Sequence, residues 1–152
     1  MTDIKLFKAA ALNDCAALLP LVKDGAKING ADADGFSLLH HCAMHGSRAA
    51  ALILMAHGAN PDATDNNGDT PLHIAATLGD ARAARDFIDA NADINAQNNA
   101  GETPLHLAAQ INNAAVVHIL LQSGANKNAK TAKNKTPLDY VQNTRTMLQT
   151  KT

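Results

Sequence analysis

Aromatic residues are nearly missing from this chain, at 3% of 152 residues, with one Tyr, three Phe and no Trp. A core organised around large rings is therefore excluded. The apolar share of 46% has to come from Ala, Leu, Ile and Val, which suits thin helices packed closely. Cysteine is scarce too: the chain has Cys15 and Cys42 and no C-x-x-C spacing. That excludes a disulfide framework and favours two small residues packed in helices. Long apolar runs are lacking as well. Nothing approaches the ~18 residues of a membrane span, and Asn13 and Asp14 interrupt the Leu-Ala stretch around Cys15, unlike a signal-peptide core. The expectation is a cytoplasmic protein with no membrane partner. No G-x-S-x-G, Walker-type glycine loop or G-x-G-x-x-G occurs, so the sequence points to no enzyme and to no cofactor.

What the chain does have is an uneven charge and a strict repeat. A formal net charge of −1 conceals ten acids against three bases in residues 31–102, and six bases against Asp139 alone in residues 127–152. Such a gradient steers partners without setting the fold. The lysines at 127–135 have no aromatic neighbours to form a stacking platform, so a solvated surface is expected there and no nucleic acid.

Four markers recur every 33 residues: Gly35, Gly68, Gly101 and Asn134; Ser37, Thr70, Thr103 and Thr136; Leu39, Leu72, Leu105 and Leu138; and the pairs Gly25-Ala26, Gly58-Ala59, Asn91-Ala92 and Gly124-Ala125. Each unit is legible physically. Thr70 offers a capping hydroxyl, Pro71 fits the first helical position, and Leu72, Ala75 and Ala76 form an apolar stripe. Gly79 suits the left-handed residue that ends a helix, and a second helix over 82–89 buries Ala83, Ala84, Phe87 and Ile88. The four Leu of the third marker set are expected to point inward. One helix pair cannot cover its own apolar face, so successive pairs stack and share a core.

A period of 33 residues carrying Thr70-Pro71-Leu72-His73 and Thr103-Pro104-Leu105-His106 resembles the ankyrin repeat. The expected fold is thus an all-α ankyrin-repeat solenoid of helix-turn-helix-loop units, a single domain over residues 1–152. Its units run at about 1–31, 32–64, 65–97, 98–130 and 131–152, three full repeats between an N-terminal and a C-terminal cap. In the first, Ile4-Lys5-Leu6-Phe7 replaces the motif; in the last, Asp139 takes the His position.

His40, His73 and His106 occupy the fourth motif position once per unit, which argues for a structural duty. The resemblance implies hydrogen bonds to the motif Thr and to neighbouring backbone. The second unit departs furthest, with His40, His41, Cys42 and His45 close together and Leu38 in place of Pro. His41 and His45 share a helix face while Cys42 points away, and His57 stands at a helix end, so four convergent zinc ligands are not expected. A metal-responsive binding protein using this His-rich unit is the alternative reading. The same unit is expected to be the softest, through the missing proline and through acid acting on His41 if that ring is partly buried. Asp34, Asp65, Asp69 and Glu102 fall in loops where such residues stabilise turns, so a catalytic carboxylate pair is not expected.

Function then falls to positions the core does not use. Two sets emerge from alignment in steps of 33, and by resemblance they line the hairpin loops and concave helix face on which partner proteins bind. From them we select Asp34, Phe36, Met44, His45, Asp69, Thr77, Leu78, Glu102, Gln110 and Ile111 as partner-binding residues. One column, Leu12, His45, Leu78 and Ile111, is apolar but for one His where solvent is expected. It predicts an apolar ridge rimmed by Asp34, Asp69 and Glu102, which favour a basic or amphipathic segment. The expected function is a non-catalytic interaction module, an adaptor or an inhibitor, monomeric with weak self-association through the ridge. A regulatory domain of a longer chain is a further alternative.

Overall fold

A computed structural model of the protein describes residues 2–141; the rest of the expected C-terminal cap, with Arg145 and Lys151, lies outside the described residues. Among the described residues, eight α-helices form four pairs. These are α1 (Thr2–Ala11) with α2 (Cys15–Lys23), α3 (Leu38–His45) with α4 (Arg48–Ala56), α5 (Pro71–Leu78) with α6 (Ala81–Asp89), and α7 (Pro104–Gln110) with α8 (Ala114–Gln122). A 3₁₀ turn at Pro137–Tyr140 follows. Among the described residues there is no strand, and an isolated bridge joins Ala31 to Ser37.

The first helix of each pair begins where the sequence places a cap. Thr70 stands in extended backbone and its hydroxyl accepts from the His73 N–H, while Pro71 opens α5 without a missing donor. Gly79, at φ 72°, ends that helix in the left-handed region. These first helices form an inner row in which α1, α3, α5, α7 and the 3₁₀ turn stack in order. The second helices form an outer row, where α2 packs on α4 and α6 on α8.

Between the rows lies the core. Leu39, Leu72 and Leu105 are fully buried, each contributing about 1.5–3 kcal/mol by removal from water. Buried Ala75, Ala76, Ala108 and Ala109 let the inner helices approach closely. Leu138 does not follow its column: it is 44% exposed, because among the described residues nothing stacks on its far side. In α6, Ala83, Ala84 and Phe87 are buried as expected, but Ile88 is half-buried, and Asp86, which the pattern did not mark, is 8% exposed.

Successive hairpins touch through their glycines. A Cβ on Gly68, at φ 76°, would lie 2.6 Å from the Asn99 Oδ1, so the marker glycine is fixed both by backbone conformation and by its neighbour. Asn134 takes the same left-handed conformation, φ 59°, in the last hairpin.

Candidate partner-binding surface

The hairpins are shaped by a side chain that recurs at the period. The Oδ1 of Asp32 accepts from the N–H groups of Asp34 and Phe36 at 3.0 and 2.9 Å. Asp65 does the same for Asn67 and Asp69, Asn98 for Ala100 and Glu102, and Thr131 through its hydroxyl for Lys133 and Lys135. These are turn-closing bonds that hold each hairpin tip rigid. Asp65 is thus engaged in the turn through its Oδ1.

Each motif histidine ties one hairpin to the next. The Nδ1 of His73 accepts from the Thr70 N–H at 3.1 Å, and its Nε2–H donates to the Glu102 carbonyl at 2.9 Å. His40 bridges Ser37 to the Asp69 carbonyl, and His106 bridges Thr103 to the Lys135 carbonyl, at 2.7 and 3.0 Å across the junction. The network fixes the neutral Nε2–H tautomer, and burial pushes the His40 and His73 imidazoles below their ordinary value.

On this frame the inner-helix ends carry the ridge. Leu12 is 66% exposed, Leu78 57% and Ile111 43%, with His45 exposed in the same column. Thr77 and Gln110 are exposed beside it, and Met44 and Phe36 are half-buried. Of the acids, Asp34 is exposed, whereas Asp69 and Glu102 are half-buried and already bonded. The Asn98 amide donates to both carboxylates, at 2.8 and 3.3 Å, and the Tyr140 hydroxyl donates to Glu102 at 3.0 Å. Burial, then that bond to a carboxylate, raises the Tyr140 hydroxyl pKa.

Around His41 the second unit gathers rings. Phe7 meets His41 edge-on at 5.2 Å, Phe36 does so at 6.0 Å, and His45 stacks on it at 6.2 Å. The His41 Nε2 lies 2.7 Å from the Asp32 Oδ2. Burial raises the Asp32 carboxyl, but hydrogen bonds from His41, Phe36 and Asp34 outweigh it and hold the group below the usual carboxylate range. The second unit thus holds two different rings, His41 bonded to the Asp32 carboxylate and His40 buried where its charged form is disfavoured. Cys42 is buried away from this cluster with its Sγ on the Ala10 carbonyl, and burial pushes its thiol up to about 12. His57 faces its own helix, its ring 2.8 Å from the Ile53 carbonyl. Among the described residues no three His, Cys, Asp or Glu side chains converge as metal ligands.

Sequence reading missed two features. The recurrence of Asp32, Asp65, Asn98 and Thr131 was visible in the period. The ion pair joining Arg48 on α4 to Asp86 on α6 was not, since it links residues 38 apart, off the period of 33. It is bidentate, with the Arg48 Nη2 at 3.0 Å from the Asp86 Oδ1 and the Nε on the Oδ2. The carboxylate in turn raises the guanidinium pKa, through hydrogen bonding first and charge second.

No helix among the described residues is long and apolar enough to cross a membrane. Comparison with curated proteins gives no match. Family models match most of the chain: one for ankyrin repeats in three copies over residues 6–98, and one for ankyrin repeats in many copies over residues 88–141. Ankyrin repeats are in general protein–protein interaction modules and typically not enzymes. Helix pairs at a fixed period, capped by Thr and stitched by His, agree with these matches, and the chain belongs to the ankyrin-repeat family.

Proposed function

We propose that this chain is a non-catalytic protein–protein interaction module, an adaptor or an inhibitor, which holds a partner protein against its inner-helix face and hairpin tips. The exposed column of Leu12, Leu78 and Ile111 carries the reading, because three large apolar side chains at one repeat position give solvent an aligned ridge. The rim of Asp34, Phe36, Met44, His45, Asp69, Thr77, Glu102 and Gln110 supplies the polar and adaptable contacts that surround such a core of binding energy. All five units act as one domain in this reading, and the protein works as a cytoplasmic monomer.

Pull-down from source-cell lysate, with the wild type beside Leu78→Asp/Ile111→Asp, tests it. Both side chains are exposed, so the double variant keeps its helical circular dichroism and melting temperature, and it loses the captured partner. Equal capture by both proteins places binding elsewhere.

A further inference from the structure

We propose that the segment bound on the inner-helix face is a basic amphipathic helix of the partner; this rests on the reading above and adds the partner's charge and shape. The charge argument starts from where bases are missing. In residues 31–47, 64–80 and 97–113, which form the hairpin tips and inner helices of three successive units, there is no Lys or Arg, while acids recur. The bases of that part of the chain, Arg48, Arg82 and Arg85, all lie on the outer helices α4 and α6. The middle of the binding face thus carries acids and apolar side chains with no Lys or Arg among them. An exposed Asp34 stands at a hairpin tip, and the Asp69 and Glu102 carboxylates both accept from the Asn98 amide, a neutral group. A partner rich in Lys or Arg is drawn to such a face, and an acidic one is repelled.

The shape argument comes from spacing. Equivalent residues on neighbouring inner helices are separated by one helix-packing distance, about 10 Å. A helix returns a side chain to the same face after seven residues, at about 10.5 Å. An extended strand covers about 10 Å in three residues, which puts the side chain on the opposite face. Ridge and heptad therefore match, and ridge and strand do not. Because His45 interrupts the column, the partner's four successive heptad positions face Leu12, His45, Leu78 and Ile111. Lys8 on α1 and Lys133 beyond α8 bracket the anionic stretch, so the basic part of the segment ends within it.

Three fluorescein-labelled peptides of about 24 residues test this. The first is an amphipathic Lys/Leu helix, the second its Glu/Leu counterpart with the same Leu positions, and the third the Lys/Leu composition scrambled so that the Leu residues share no face. Titration with the whole chain, followed by anisotropy, should show the Lys/Leu helix binding at least about ten-fold tighter than either control. Leu78→Ser/Ile111→Ser and, separately, Asp34→Asn/Glu102→Gln should each weaken it about ten-fold, and raised salt should weaken it several-fold. Equal binding of the Lys/Leu and Glu/Leu helices, both lost in the Leu78→Ser/Ile111→Ser protein, overturns the charge inference and leaves the ridge as the binding site. Lys/Leu binding that ignores the Leu78→Ser/Ile111→Ser change overturns the inference and counts against the ridge as well. Binding of no peptide overturns the inference, while the lysate pull-down independently decides the ridge. A dimer in sedimentation velocity that disappears in the Leu78→Ser/Ile111→Ser protein overturns it in favour of a second copy of this chain.

Discussion

Where α3 and α4 meet α5 and α6, the outer helices α4 and α6 barely touch, whereas one junction further on α6 packs along α8. The inner rows are alike at both places, and so are the histidine bonds, from His40 to the Asp69 carbonyl and from His73 to the Glu102 carbonyl. The outer rows differ in kind. At the first junction Arg48 reaches across to the buried Asp86; the positions 33 residues on hold half-buried Ala81 and Ile119. At the second junction the Asn113 amide donates back to the Gly79 carbonyl at 3.4 Å, while its equivalent Asp80 has no proton to donate and only caps its own helix. One repeat geometry is therefore closed by an ion pair at one seam and by apolar contact with an amide bond at the next. The inner row carries what the seams share, and the outer row tolerates variation.

Acid should give the largest effect, because it strikes the shared part. His40 and His73 are both held below the ordinary imidazole pKa by burial, so the folded state binds fewer protons than the unfolded chain. Their stabilisation is complete above about pH 6.5 and declines as pH falls below it. Urea midpoints between pH 7.5 and about 5 should fall steadily, and hydrogen exchange should report the loss at both seams together. Loss confined to one of the two seams would show that His40 and His73 do not share the effect.

Much of this architecture is written locally. Helix starts at Ser37, Thr70 and Thr103, the left-handed end at Gly79 and the exposed column of Leu12, Leu78 and Ile111 are all functions of position within the period, so alignment of the chain with itself exposes them. Asn91 shows how far this goes, since it takes φ 64° where the marker elsewhere is Gly. Features that join two units at unequal positions are not legible that way. Arg48 and Asp86 meet only because stacking turns the start of α4 towards α6 within reach of a long side chain, and the bond between Asp32 and His41 needs the hairpin to fold back over α3. Leu138 failed for a related reason: burial belongs to the neighbour as much as to the residue. The candidate site was legible as a set of exposed positions, while the engagement of Asp69 and Glu102 by Asn98 and Tyr140 depended on contacts between units.

An intermediate effect should come from converting one seam into the other. Arg48→Ala leaves Asp86 buried without its charge partner and should lower the melting temperature by a few degrees, less so at high salt where the pair is already screened. Arg48→Ala/Asp86→Ile reproduces the Ala81 and Ile119 pair of the next seam and should recover the wild-type midpoint or exceed it, because no buried carboxylate is left without its partner. If the double variant melts below the single one, the two seams are not interchangeable, and the separation of α4 from α6 has a cause other than the charge between them.

The smallest effect belongs to the amide at the second seam. Asn113 accepts from the Val116 N–H as the cap of α8 while its amide donates to Gly79, and Asn113→Asp keeps the first function and removes the second. Asp and Asn cap equally well, so the difference isolates the cross-seam bond. At 3.4 Å that bond is long, and about 0.5–1 kcal/mol is the most it should contribute. Asp80→Asn places the same donor at the first seam, where the wider spacing of α4 and α6 should leave it without a partner and the urea midpoint unchanged. A gain from Asp80→Asn equal to the loss from Asn113→Asp would show that the two seams have the same spacing at this depth. The contrast between them would then reduce to the Arg48–Asp86 pair alone.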